Sequence, residues 1–234
     1  MAIDFGHYTG MRAMTRLLSW DVDTLYDFMH ADGRLYVPGS EAIIPTLAAL
    51  TGFAHARRIP IVASADDHRP SDAEISDTPD WITTFPPHCM HGTPGQRKIV
   101  ETALTDPLVI EPALQDPGAL AHRILGHRGD FLLTKGTLDV FSNANTTTLL
   151  RALEPEAIVI YGVATDFCDK YTVEGLLRHR PEADLFLVTD AIRPIYPDEG
   201  DRLLESWRDR GVHLTVAGDV LAGRGLESYL GAVV

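Results

Sequence analysis

Short apolar runs recur along the chain at 16–22 (RLLSWDV), 59–65 (IPIVASA), 130–134 (DFLLT), 157–164 (AIVIYGVA), 184–191 (DLFLVTDA) and 213–218 (HLTVAG). Their length and continuous apolarity predict strands covered on both faces. Between them the spacing turns helical. Ser40, Asn145 and Thr165 are the expected N-terminal caps of helices over 41–58, 146–153 and 166–180, and a fourth helix over 198–211 stops on a glycine. Strands alternating with helices predict an α/β protein, a three-layer α/β/α sandwich around a mainly parallel central sheet. A length of 234 residues asks for no more than one domain, read as 16–234 behind an N-terminal arm over 1–15.

The regular pattern fades over 66–129, a stretch rich in Pro, Asp and His. Long irregular segments inside compact domains are usually functional. Its first part, 66–95, predicts an ordered loop at a site. The remainder predicts short strands and a helix, placed at a subunit contact.

Composition narrows the partners. A formal net charge of -13 argues against nucleic acid, whose binding relies on Lys and Arg displacing counterions. Two cysteines make no disulfide framework, and their surroundings, PPHCMHGT and TDFCDKYT, do not match as a pair, so a reducing, cytoplasmic setting is expected. No apolar run has membrane-spanning length, and MAIDFGHYTG lacks the basic and apolar parts of a signal peptide. No membrane partner is expected.

In parallel sheets ligands collect where strands end and loops enter helices. Here those ends carry DVDTLYDF, DDH, KGT and TDFC. Cys168 falls in the first turn after Thr165, where helix amides favour a thiolate, and the small residues of GVAT let the Ala164 and Cys168 amides face a developing oxyanion. A thiol nucleophile needs a base, and Asp23 with Lys135 beside it can serve. Taken singly, each residue also has an ordinary reading, as a core cysteine, a turn aspartate and a surface lysine. Asp66, His68 and His88, with Glu74 between them, have the nitrogen and oxygen donors of a metal site, or equally of a solvated acidic loop.

Five pieces, DTLYDF, ASADDH, FPPHCMHGTPG, TKGTLDVFSN and GVATDFC, in this order, make the chain resemble the isochorismatase-like cysteine hydrolase superfamily, and its nicotinamidase (pyrazinamidase) branch most of all. The resemblance covers about residues 16–192. It implies that Asp23, Lys135 and Cys168 are catalytic, Asp23 being chosen over Asp21 because Asp27 and Phe28 then fall into place. It also implies an oxyanion hole at Ala164 and Cys168, metal ligands at Asp66, His68, Glu74 and His88, and a ring clamp formed by Phe28 and Phe85. The metal implied is divalent, zinc by preference, with manganese and iron as alternatives. Metal-free branches generally lack that ligand set. Leu25 stands where the family usually has Gln, Phe85 where Trp is more usual, and the stretch between His88 and Lys135 is longer than in nicotinamidases.

The implied activity is hydrolysis of a small aromatic amide to carboxylate and ammonia through a Cys168 thioester, by a homo-oligomer. Three rivals stand beside it. The same three residues could act on a ureido, carbamoyl or maleamic amide or an isochorismate-type ether. The fold could be a non-catalytic binding protein. A metal hydrolase could use Cys168 only as core.

Overall fold

The computed structural model describes residues 16–230, so the arm expected over 1–15 lies outside the described residues. Its strands are β1 (Leu17–Val22), β2 (Ile61–Asp66), β3 (Leu108–Ile110), β4 (Phe131–Lys135), β5 (Ala157–Val163), β6 (Asp184–Arg193) and β7 (His213–Thr215). They form one seven-stranded sheet in the order β3-β4-β2-β1-β5-β6-β7, and every neighbouring pair is parallel. β1, β2 and β5 are buried along their whole length, as uninterrupted apolar runs demand.

The helices are α1 (Tyr26–Met29), α2 (Ile44–Ala56), α3 (Pro117–Gly126), α4 (Thr146–Leu153), α5 (Cys168–His179), α6 (Pro197–Asp209) and α7 (Ala217–Leu221). Leu47, Leu50 and Ala54 of α2 pack with Val220 of α7 on one face of the sheet, against Leu17, Val159 and Tyr161. Leu149 and Leu150 of α4, Val173 and Leu176 of α5 and Trp207 of α6 cover the other face, against Leu18, Trp20, Ile158 and Ile160. Each fully buried Leu or Ile contributes roughly 1.5–3 kcal/mol. The two cores and the sheet between them are the three layers expected.

β1 hands the chain towards β2 on one side, while β5 hands it towards β6 on the other. Their carboxyl ends therefore flank a crevice that no connection covers, the place where such sheets bind ligands. Gly162 keeps this seam closed. Its φ is +139°, and a Cβ there would stand 2.1 Å from the Val22 carbonyl oxygen. Gly162→Ala is expected to destabilise the protein by on the order of 3 kcal/mol, read as a lower denaturant midpoint at unchanged slope.

Several expectations are corrected. Ser40 does not cap the second helix: its hydroxyl donates to the Phe28 carbonyl at 2.8 Å, a short 3₁₀ turn over Ser40–Ile43 comes first, and α2 ends at Ala56. Asn145 gives α4 no side-chain cap, because its amide bonds the Glu111 and Ala113 carbonyls and the Gln115 N–H. Thr165 caps nothing either, since α5 begins only at Cys168. The run at 213–218 is strand only to Thr215 and then turns into α7. β3 and α3 lie in the second part of the 66–129 segment, as the pattern there suggested.

Candidate active site

Four charged or nucleophilic side chains converge at the crevice. Asp23 follows β1, Asp66 ends β2, Lys135 ends β4, and Cys168 opens α5 just beyond β5. Parallel strands in register bring these ends level, and Asp66 pairs directly with Lys135 across the ladder. The Lys135 ammonium lies 2.8 Å from Asp23 Oδ2 and 3.6 Å from Cys168 Sγ, and it also donates to Asp66 Oδ1. All four are buried, with Lys135 only 1 % exposed. A lysine so enclosed stays charged only because two carboxylates surround it.

Their proton affinities follow from that enclosure. Burial alone would lower Lys135, but Asp23 and Asp66 hold it well above its ordinary value. Burial alone would raise Asp66, but Lys135 and the neighbouring imidazoles keep it well below the carboxylate range. Asp23 ends up raised, because burial there outweighs Lys135. Burial also pushes the Cys168 thiol well up, against the pull of Lys135. Burial thus works against the thiolate that a helix terminus favours, and the carboxylate beside the sulfur is a stronger base than an exposed aspartate.

A second cluster adjoins the first through Asp66. Asp66 Oδ2 lies 3.6 Å from His68 Nε2 and 3.7 Å from His88 Nε2, while Glu74 Oε1 lies 3.8 and 4.0 Å from the same two nitrogens. These separations suit one cation with ligand bonds of about 2.0–2.3 Å. His88 Nδ1 donates to the Pro86 carbonyl at 2.8 Å, which leaves Nε2 as a lone pair aimed inward. Asp66 Oδ2, His68 Nε2 and Glu74 Oε1 are buried without a hydrogen-bond partner. An orphaned buried polar atom costs about 1–3 kcal/mol, so this set fits a divalent ion that would satisfy all of them. Glu74 belongs to the group as fully as the other three.

Above both clusters opens a cavity, about 350 Å³ of empty space that is partly continuous with solvent. Phe28, Phe85 and Phe167 form one part of its wall, and Leu35, Val37, Leu138 and Ile195 another. Its polar lining comes from Asp66, Glu74, His88 and Cys168, and among the described residues no Arg or Lys side chain lines it. Phe28 and Phe85 both pack against His88, with ring centroids 5.5 and 6.2 Å away. Ala164 reaches the cavity beside Cys168. The Phe167 and Asp169 amides fold back onto its carbonyl at 3.0 and 3.1 Å, closing the turn between β5 and α5.

A family profile for the isochorismatase domain matches residues 17–219. The chain belongs to the isochorismatase family. Among its relatives, the nicotinamidase/pyrazinamidase of Mycobacterium tuberculosis is 28% identical over 167 residues, 68% of this chain and 77% of that one. The pyrazinamidase of Pyrococcus horikoshii, solved in complex with zinc, superposes with a TM-score of 0.65 at 23% identity, over 86% of this chain and 99% of the other. N-carbamoylsarcosine amidase from Thermoplasma acidophilum gives the same score and identity, over 86% and 96%. The likeness runs to the nicotinamidase branch, and the chain is an amidohydrolase of this family, acting on amide carbon–nitrogen bonds.

Asp23, Lys135 and Cys168 meet at the crevice, Asp66, His68, Glu74 and His88 form the cluster beside it, and Phe28, Phe85 and Ala164 line the cavity. Three that support the site were missed. Asp27 served only to set the alignment, yet its carboxylate accepts from the Cys89 amide at 2.7 Å and the Arg34 amide at 3.1 Å, tying the helix of Phe28 to the loop of His88. Asp166 accepts from the Ile195 and Tyr196 amides at 2.9 and 2.7 Å, locking the nucleophile turn to the loop after β6. Phe167 packs edge-on against Phe85 at 5.6 Å. The signal for the last two lay in TDFC, between the threonine and the cysteine. The segment 97–129 supplies no cavity residue, so its extra length does not form the wall of this site.

Proposed function

We propose that the protein hydrolyses a small, uncharged aromatic amide of the nicotinamide type to its carboxylate and ammonia, through a thioester on Cys168. The observation that carries this reading is a cavity of aromatic and aliphatic walls that, among the described residues, no Arg or Lys side chain lines. A maleamate, an N-carbamoyl amino acid or an isochorismate brings a carboxylate, and no described Arg or Lys side chain lines the cavity to pair with it.

Asp23 takes the proton from Cys168 Sγ, and Lys135, 2.8 Å from Asp23 and 3.6 Å from the sulfur, balances the negative charge on either partner. The thiolate attacks the amide carbon, and the Ala164 and Cys168 amides hold the resulting oxyanion. Asp23 returns the proton to the amide nitrogen, the carbon–nitrogen bond breaks, and ammonia leaves. Water, deprotonated by Asp23, then adds to the thioester, releasing the carboxylate and restoring the thiol. Phe28 and Phe85 grip the ring so that its carbonyl meets Sγ. A divalent ion held by Asp66, His68, Glu74 and His88, with zinc the first choice, supplies a Lewis-acid anchor for the ring nitrogen or an ordered water when bound.

Ammonia release from a panel of amides tests the reading. Nicotinamide and pyrazinamide are expected to turn over at least about 10²-fold faster, as kcat/KM, than maleamate or N-carbamoylsarcosine. The reverse order would reject an uncharged substrate. Metal analysis should find close to one divalent ion per chain. Chelation is expected to raise KM for nicotinamide about tenfold or more, and an unchanged KM would remove the anchoring role.

A further inference from the structure

The turn that carries Asp23 is gripped from behind by a buried polar group that no step above uses. Asp21 sits in β1 two residues before Asp23, fully buried in a strand whose other residues are apolar except Ser19. Lys98 reaches in from the 97–129 segment to within 2.9 Å of Asp21 Oδ2. Between them lies the Thr24 hydroxyl, which donates to Asp21 Oδ1 at 2.8 Å and accepts from Lys98 Nζ at 2.6 Å. Its remaining lone pair faces the Thr102 hydroxyl at 2.6 Å, so Thr102 is the donor there and the Thr24 oxygen is saturated.

The backbone follows the same plan. Ile99 donates to the Thr24 carbonyl at 3.1 Å, and Tyr26 donates to the Arg97 carbonyl at 2.8 Å. Leu25 pairs with Lys98 in an antiparallel bridge and donates to the Asp23 carbonyl at 2.7 Å. Asp23 itself has φ +48°, a left-handed conformation that an L-residue avoids unless its surroundings impose it. The residues on both sides of it, 21 and 24 to 26, are tied to one another or to the strip 97–102. A buried ion pair is a poor source of net stability compared with an apolar pair, but it fixes geometry closely.

We infer that Lys98, acting through Asp21 and Thr24, is a positioning residue that holds the catalytic Asp23 in its left-handed conformation against Lys135 and the Cys168 thiol. The inference rests on Asp23 being the base of the proposed reaction. It assigns the strip 97–102 a task at the site although the strip lines no part of the cavity. Free of the clamp, residue 23 relaxes to an ordinary backbone conformation, and its carboxylate swings from the line between Lys135 and the sulfur.

The test compares Lys98→Met, Lys98→Arg, Thr24→Val and the double variant Asp21→Leu/Lys98→Met in the full-length enzyme. Nicotinamide kinetics, thermal midpoints and the rate at which iodoacetamide labels Cys168, located by peptide mass, are measured for each. Lys98→Met is expected to lower kcat about 10²-fold at unchanged KM and to slow Cys168 labelling in parallel. Lys98→Arg should recover most of both, and Thr24→Val should lose kcat while staying folded. The double variant removes both charges, so its thermal midpoint should return towards the parent while kcat and labelling stay low. A folded double variant with parental kcat and labelling would overturn the inference, and so would parental values for Thr24→Val should the double variant not fold. If Cys168→Ala keeps its turnover, it is the proposed reaction that fails, and the labelling rates still decide whether the clamp governs the thiol.

Discussion

Cys168→Ala is expected to reduce nicotinamide turnover by about 10⁴-fold or more while shifting the unfolding midpoint little. The two halves of this result have separate causes. The thiol is the only group at the crevice that can form a covalent link to the amide carbon in the proposed reaction. As a packing element it is small, and trimming one sulfur from a site only 5 % exposed leaves room too slight to destabilise by more than about 1 kcal/mol. Cys168→Ser should be almost as inactive, since burial already pushes the thiol up and a hydroxyl starts far higher still. Steady-state ammonia release, with circular dichroism as a folding control, checks both variants. Near-parental turnover in Cys168→Ala would discard the thioester route. Full activity in Cys168→Ser with complete loss on chelation would point instead to a metal hydrolase in which the cysteine is merely core.

Lys135→Met carries the second large effect, and it falls on stability as well as rate. The ammonium is enclosed by Asp23 and Asp66, and acceptor atoms of these two residues and of Cys168 lie within 4.8 Å of one another. Methionine fills the same volume but leaves two buried carboxylates facing each other. Breaking one partner out of such a pair costs about 3–5 kcal/mol, and turnover should fall by about 10³-fold.

The pH dependence separates this variant from the parent. In the parent, Asp66 lies below its unfolded value, so its contribution is present above the ordinary carboxylate range and is lost as pH falls through the lowered folded value. Lys135 lies above its unfolded value, so its share is present below the ordinary lysine range and is lost only as pH rises through the raised one. Without the ammonium, the remaining carboxyls bind protons more tightly folded than unfolded. Their penalty therefore grows as pH rises through the raised value, and the variant should regain stability between pH 8 and pH 5. Urea unfolding at the two pH values measures this on metal-stripped protein. A deficit relative to the parent that is equal at both values would show that the carboxylates do not share the lysine's charge.

Much of the site was visible along the chain because parallel α/β sheets place strand ends together. Once 16–22, 59–65, 130–134 and 157–164 read as strands, Asp23, Asp66, Lys135 and Cys168 had to fall on one edge of the sheet. The loop from 66 to 95 was legible for a related reason, since His and carboxylate donors on an irregular segment beside that edge suit a metal. The caps fared worse. Ser40, Asn145 and Thr165 all have the right residue type before a helical stretch, but each met a different partner, or none, once distant strands and loops packed nearby.

The charge states were less visible still. Position in the first turn of a helix favours a thiolate at Cys168, and burial, a property of the assembled fold, works against it. Asp21 and Lys98 stand 77 positions apart in the sequence and have no shared local pattern, so their pairing exists only after the 97–102 strip folds back along β1.

By itself, then, the sequence determined the alternation of the main strands and helices, the layered class of fold and the chemical types available at the strand ends. All of these follow from local periodicity and from the rule that parallel strands share a carboxyl edge. The tertiary structure alone decided how far each group is from water and which opposite charge it meets. It thereby decided that two carboxylates hold Lys135 above its ordinary value, that burial raises the Cys168 thiol, and that no described Arg or Lys side chain lines the cavity above them. Proton affinity and charge complementarity depend on burial and on distances of a few ångströms between residues far apart in the chain, which no spacing along it records.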